Sequence, residues 1–374
     1  MWTSLRHSFR LFKTACVLAH YDALVPHEFA DQIPTSLRWG AKVLRLIPIG
    51  RTGHDTAIKD ASPGQRLAAA LSTLGPTYIK LGQFLATRPD IIGADLADDL
   101  KSLQDRLPPF SMEDAQAIIE QELGETSDAL FSTFEPPMAA ASIAQVHRAR
   151  LKQDDGEDKN VAVKILRPGI EKRFTSEMAT FAWAAAKVEA WFSESRRLEP
   201  IKLIATLQKS VELEMDLRLE AAAASEMAEL NAARTGFRVP KVDWLHTNQK
   251  VLTTEWVDGT PLGNRDALRD AGHDLVDLSH KVVQLFLHHA LDDGFFHADM
   301  HHGNLFVDRQ GRLVAVDFGI MGRLDKATRR YLAEILYGFI MRDYGRLADI
   351  HFDAGYISRD QSRDEFAQAL RSVG

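Results

Sequence analysis

The sequence predicts an α+β fold in three parts: a helical extension over residues 1–130, a small β-rich lobe over 131–258 and a larger helical lobe over 259–374. Three observations carry this reading. Apolar residues recur at helical spacing through the first third, between Pro and Gly breaks. The texture becomes β-branched and aromatic near Phe131, and helical pattern returns from Glu171. With 374 residues, 45% of them hydrophobic, the chain has ample core for two or three domains, which excludes disordered and collagen-like classes.

The elements follow in order. Trp2, Leu5, Phe9, Phe12 and Cys16 recur at helical spacing with Arg6, Arg10 and Lys13 beside them. Residues 1–51 hold 7 Lys+Arg against 3 Asp+Glu, although the chain as a whole carries −7. A basic amphipathic helix over 1–20 predicts contact with an anionic membrane surface; packing of the same stripe on the protein body is the equal alternative. The apolar stretch 15–19 is too short for a secretion signal, and no run of 18 apolar residues exists to span a bilayer. The acidic remainder argues against a general nucleic-acid binder. Cys16, the single cysteine, excludes an intramolecular disulfide framework and a cysteine zinc site and suits a reducing compartment.

Pro63-Gly64 opens a helix over 65–74, Gly75-Pro76 breaks it, and a second runs over 77–87 to Arg88-Pro89. Ile91, Ile92, Leu96, Leu100 and Leu103 predict a helix over 90–107, ended by Pro108-Pro109. Ser111 with Asp114 reads as the N-cap of another, reaching 123–124. Strands over 143–151 and 161–166 flank the acidic loop 154–160 as a hairpin. Helix over 171–231, a strand over 250–257, a helix over 275–292 closed by Gly294, strands over 305–307 and 313–316, and a helical tail from Asp325 complete the chain.

The chemistry concentrates in His297-Ala-Asp-Met-His-His-Gly-Asn304 and Val314-Ala-Val-Asp-Phe-Gly319. Protein kinases place a catalytic-loop Asp, an Asn five residues on, and then the Asp of D-F-G, in the order Asp299, Asn304, Asp317. The spacing aims one carboxylate at an acceptor, turns an amide oxygen toward Mg²⁺, and brings a second carboxylate back on a hairpin. His297 and His301 stand four apart as zinc ligands on a helix do. Ala298 replaces the Glu such a protease needs, and Gly303 interrupts the helix. Val161-Ala-Val-Lys164 matches the strand whose Lys meets nucleotide phosphates, with Glu212, Glu214 and Glu220 all available as its partner. Leu252-Thr-Thr-Glu-Trp-Val257 suits a hinge whose main chain, at Glu255 and Val257, meets adenine. In place of a Gly-rich loop stands Pro136-Pro-Met-Ala139-Ala140-Ala141-Ser142-Ile143-Ala144-Gln145, continuing to Val146. Its alanines offer N–H groups to phosphate but restrict close approach, a stiffer nucleotide cover. No A-P-E follows Asp317, so a peptide-substrate platform is not evident.

With Gly75-Pro-Thr-Tyr-Ile-Lys80-Leu-Gly-Gln83, Ala139 to His147, Val161-Ala-Val-Lys164, Glu214-Met-Asp216 with Glu220, and the two motifs above, the chain resembles the UbiB family of atypical kinase-like proteins. The resemblance implies an α+β, protein-kinase-like two-lobed fold with a helical N-terminal extension carrying the KxGQ motif. It implies that Lys80 and Gln83 lie on a regulatory helix over the active site, that Glu214 holds Lys80, and that Glu220 pairs with Lys164. It further implies binding of ATP or ADP with Mg²⁺ at Asn304 and Asp317, with Lys164 and Asp299 catalytic, in support of ubiquinone biosynthesis. Expected partners are nucleotide, a membrane surface or polyprenyl-phenol precursors, and other ubiquinone-biosynthesis proteins. Bacterial relatives continue into a membrane-spanning hairpin, so residues 259–374 are expected to be an incomplete C-lobe. The expected location is the cytoplasmic face of the inner membrane, peripheral through these residues. Two rivals are a small-molecule kinase of aminoglycoside or choline type, opposed by the KxGQ helix and alanine loop, and a nucleotide-switched scaffold, opposed by the intact Asp299, Asn304 and Asp317.

Overall fold

A computed structural model describes residues 2–25, 27, 35–49, 61–103, 107–154, 156–191 and 193–374. They divide into two compact units, Met1–Asp216 with Asn248–Leu252, and Leu217–Thr247 with Thr253–Gly374.

The first unit opens with α1 (Trp2–His20), α2 (Thr35–Leu46), α3 (Pro63–Leu74) and α4 (Pro76–Ala86). Ser62 starts α3 by accepting from the Gln65 N–H while the Gln65 side chain reaches back to the Ser62 N–H, and Pro63 occupies the first turn without wasting a donor. Gly75, at φ 108°, turns the corner into α4. The predicted helix over 90–107 is instead two pieces, α5 (Pro89–Ile92) and α6 (Ala94–Leu100), because Gly93 at φ 85° interrupts it; residues 104–106 lie outside the described chain. The glycine of the KxGQ motif is a packing requirement. A Cβ on Gly82 would stand 2.3 Å from Leu103 Cδ1 and 2.7 Å from Leu71 Cδ1. α1 is moored by Thr14 Oγ1 to Tyr78 OH (2.6 Å), His7 Nδ1 to Thr180 Oγ1 (2.9 Å) and Arg10 Nη1 to the Ser176 carbonyl (2.5 Å).

α7 (Met112–Leu123), capped by Ser111 as read from sequence, and α8 (Ser127–Leu130) lead into β1 (Phe131–Ala140), β2 (Ala144–Leu151) and β3 (Lys159–Leu166). These strands are antiparallel neighbours in sequence order. Ile119, Phe131, Leu151, Val163, Ile165 and Val251 fill the core between sheet and α7. β1 is a correction: residues from Pro136 on are expected in the loop before the first strand at 143, yet β1 is an edge strand whose register shifts around Pro136 and Pro137, where a missing N–H costs no ladder bond. Ala139 and Ala140, expected in the loop, are therefore its last two residues, and the loop shrinks to 141–143. α9 (Ile170–Trp191) and α10 (Pro200–Glu214) close the unit.

The second unit begins with α11 (Leu217–Leu230) and β4 (Phe237–Arg238). β5 (Val251–Glu255), whose first residues count with the first unit, is followed by β6 (Gly259–Pro261) and α12 (Arg265–Asp270). α13 (Leu275–Leu287) passes into a π-helical turn, His288–Asp293, closed by Gly294 in the left-handed region. β7 (Phe295–His297), β8 (Leu305–Asp308), β9 (Leu313–Ala315) and β10 (Met321–Arg323) then frame the motif residues. β9 sits between β4 and β8, with β6 beyond, and β7 pairs with β10. Helices α14 (Lys326–Met341), α15 (Tyr344–Asp353) and α16 (Arg363–Val373) end the chain, the first N-capped by Asp325.

Candidate functional site

In the second unit the β7–β10 pair and the β8–β9 hairpin bring Asp299, Asn304 and Asp317 together. His297, buried at the end of β7, donates from Nε2 to the Asp317 carbonyl. That fixes its neutral tautomer, and its Nδ1 accepts the Asp299 N–H at 3.1 Å. One imidazole thus ties the loop that begins at Asp299 to the D-F-G segment. Asn304 Nδ2 donates to Asp299 Oδ2 at 2.9 Å, and the Asn304 carbonyl accepts the Val316 N–H at 3.1 Å. Asp317 Oδ1 accepts the Gly319 N–H at 2.9 Å. Glu220, 7% exposed on α11, comes alongside: a Cβ on Gly319 would stand 3.9 Å from Glu220 Oε2 and 3.2 Å from Asp317 Oδ1.

α11 is fastened to this scaffold at three points that sequence reasoning missed. Arg234, just beyond it, forks onto Asp293 at 2.5 and 3.0 Å. Buried His289 donates from Nε2 to Asn231 Oδ1 at 2.9 Å, and Arg323 pairs with Glu226 while lying 4.2 Å over the Phe295 ring. Burial pushes the His289 pKa down to about 4. None of these pairs has a sequence signal, because each joins residues tens of positions apart.

The first unit carries the remaining motif residues. Lys164 is half-buried on β3 opposite Val146 of β2. The turn 141–143 is tightly held: the Ala141 N–H meets the Ala144 carbonyl at 2.8 Å and the Arg167 N–H meets the Ile143 carbonyl at 2.8 Å. The Arg167 guanidinium adds bonds to the Ala141 carbonyl at 2.8 and 3.1 Å and to the Pro108 carbonyl at 3.0 Å. Burial pulls the Arg167 pKa below its usual value. Gln145 is fully buried, and its side chain is spent inside the protein. Its Oε1 accepts the Phe110 N–H at 3.0 Å, and its amide nitrogen donates to His147 Nε2 at 2.9 Å. His147 Nδ1 in turn donates to the Glu135 carbonyl at 2.9 Å, and burial pushes its pKa down. Any part Gln145 takes at a nucleotide is therefore a main-chain one. Ser142 Oγ is buried with no hydrogen-bond partner among the described residues.

Lys80 Nζ on α4 lies 2.7 Å from Glu214 Oε2 on α10, while Glu212 accepts from Gln208 at 2.7 Å. Gln83 Nε2 reaches the Leu103 carbonyl at 3.4 Å. The Glu255 carboxylate takes Arg238 at 2.8 Å, leaving its main chain and that of Val257 as the hinge candidates.

Residues 102–351 match the ABC1 atypical kinase-like domain family. Over 371 residues the chain is 38% identical to a probable protein kinase UbiB of Marinobacter nauticus, covering 97% of this chain and 65% of that protein. It thus spans about two thirds of that relative's length. Among solved structures, Rv3197 of Mycobacterium tuberculosis, determined in complex with erythromycin, aligns with a TM-score of 0.52 and 25% identity. That alignment covers 78% of this chain and 72% of the other. The fold is kinase-like, and the chain belongs to the UbiB family of ABC1-type atypical kinase-like proteins.

Proposed function

We propose that the protein binds ATP or ADP with Mg²⁺ and hydrolyses ATP, or transfers its phosphoryl group, in support of ubiquinone biosynthesis. The carrying observation is the convergence of Asp299, Asn304 and Asp317 through the His297 bridge. Two carboxylates and an amide oxygen are hard oxygen donors of the kind Mg²⁺ takes. Ser142 Oγ, buried in the alanine turn with no hydrogen-bond partner among the described residues, fits a nucleotide cover that completes its bonding with phosphate.

Asn304 and Asp317 hold the metal, which neutralises phosphate charge. Lys164 orients the phosphates, and Asp299 accepts the acceptor's proton or orients water. The N–H groups of the 141–146 segment bind phosphate, and the main chain at Glu255 and Val257 reads adenine. Positioning and charge neutralisation supply most of the rate. Polyprenyl-phenol precursors are the partner class in this reading, with lipid, small molecule, protein and water all open as phosphoryl acceptor.

Thermal-shift titration with ATP and ADP, with and without Mg²⁺, tests this reading. Wild type should gain about 2.7 kcal/mol at a hundredfold excess over Kd. Asp317→Asn should lose the Mg²⁺-dependent part. Absence of a Mg²⁺-dependent shift in wild type overturns nucleotide binding, and phosphate release with and without polyprenyl-phenol precursors separates an ATPase from a scaffold.

A further inference from the structure

The π-helical turn His288–Asp293 holds a polar network that the nucleotide chemistry leaves unexplained. Such turns are rare, and those that occur are often at functional sites. Asn231 and His289, 5% and 1% exposed, share the bond from Nε2 to Oδ1 at 2.9 Å. Asn231 Oδ1 accepts a second bond from Arg234 Nη1 at 3.2 Å, and Asn231 Nδ2 donates to the Met227 carbonyl at 2.8 Å. Arg234 then reaches back to Asp293 at the end of the turn. A network this enclosed holds its members in one arrangement, because each bond broken strands a partner away from water.

The network joins two pieces of the site. Asn231 and Arg234 follow the end of α11, and about two turns before Met227 the same helix carries Glu220 beside Asp317 and Gly319. On the other side the π turn passes through Gly294 straight into β7, whose last residue, His297, bonds both the Asp317 carbonyl and the Asp299 N–H. Met227, His289, His297 and Phe318 line one small void, so helix, turn and D-F-G segment also share packing. The Glu226–Arg323 pair is the weaker tie, its side chains 39% and 65% exposed.

We propose that Asn231, Arg234, His289 and Asp293 are positioning residues: they lock α11 to the second unit's own scaffold and so set where Glu220 stands relative to Asp317. The inference rests on the Mg²⁺ role of Asp317 proposed above and adds the device that fixes its surroundings. Carboxylates held close repel one another and gain from a divalent cation, so their spacing governs how tightly the cation is held. Partners that orient such a ligand from behind matter nearly as much as the ligand. α11 is thereby a strut, and Glu220 does not wait for nucleotide to reach its place.

Hydrogen exchange of the whole chain without nucleotide, read by mass spectrometry, tests the strut. Arg234→Gln should speed exchange over both 217–230 and 317–319 by roughly tenfold, the loss of a charge-assisted bond. Helices α14 and α15 should keep wild-type rates. Arg234→Lys, which keeps the charge opposite Asp293, should recover part of the loss. Arg363→Gln breaks an exposed pair with Asp349 and should change neither segment. Titration of Mg²⁺ in the presence of ADP should show a requirement raised roughly tenfold in Arg234→Gln, with metal-free ADP binding unchanged. The proposal is overturned if either segment keeps its wild-type rate, if the whole second unit loosens alike, or if the Mg²⁺ requirement does not move. A wild type without Mg²⁺-dependent ADP binding removes the nucleotide reading alone, and the exchange rates then decide the strut.

Discussion

Lys80 and Glu214 form an ion pair of 2.7 Å that joins α4 to α10, with 12% and 13% of the two side chains exposed. A pair this sheltered is costly to half-remove, because the surviving charge stays in low dielectric. Each of Lys80→Ala and Glu214→Ala should therefore destabilise the protein by about 3 kcal/mol in chemical denaturation. The apolar double variant Lys80→Met/Glu214→Leu should recover most of that loss. Additive single and double effects would show that the pair is not the link between the helices.

Two residues along the same helix, Gly82 serves approach rather than flexibility. An added Cβ meets the ends of Leu103 and Leu71, both flexible, so overpacking of about 1–3 kcal/mol opposes a helix-propensity gain of about 1 kcal/mol. Gly82→Ala should lower stability by about 1 kcal/mol, a midpoint fall of roughly 2–4 °C. Leu103→Ala in the same chain should relieve the clash, and a Gly82→Ala midpoint equal to or above wild type would refute the close-packing role.

Much of this was legible because it is local. The cap at Ser111, the Gly75 corner, the β2–β3 hairpin and the Asp299–Asn304–Asp317 order all lie within short stretches whose chemistry is self-contained. Failures fall where tertiary context overrides local preference. Pro136-Pro137 breaks a strand anywhere except at a sheet edge, and edge position is not written in the ten residues of β1. β4, β6, β7 and β10 span two or three residues, too short for period-two alternation to register. The Gln145 side chain is taken up by Phe110 and His147, partners that only the folded sheet supplies, which leaves its main chain for the nucleotide role expected of it.

Arg167 is the largest of these omissions and the most testable. It holds both sides of the alanine turn and stacks at 5.8 Å over Phe110. A lysine keeps the charge but cannot fork onto two carbonyl oxygens. Arg167→Lys should lower nucleotide affinity about tenfold, the cost of one to two charge-assisted hydrogen bonds. Arg167→Ala should add a stability loss of about 2 kcal/mol from the unpaired carbonyls. Isothermal titration with ATP and Mg²⁺ reads the first and urea unfolding the second. Unchanged affinity in Arg167→Lys would remove the turn from nucleotide binding.

His289 makes stability depend on pH in a window of its own. Its folded pKa of about 4 lies below the ordinary 6.5, so between those values the unfolded chain binds a proton the folded chain refuses. The contribution is therefore complete above pH 6.5 and is lost as pH falls toward 4, with no further loss below. Allowing for solvent screening, the full loss is on the order of 2 kcal/mol. Arg234 opposes protonation and Asp293 favours it, but burial is the largest cause. His289→Gln keeps a donor for Asn231 Oδ1 and removes the titration. Urea unfolding of this variant between pH 6.5 and 4 should show a shallower fall in stability than wild type, with the two slopes equal above 6.5. Parallel curves throughout would mean that the imidazole is not held neutral in the π-helical turn.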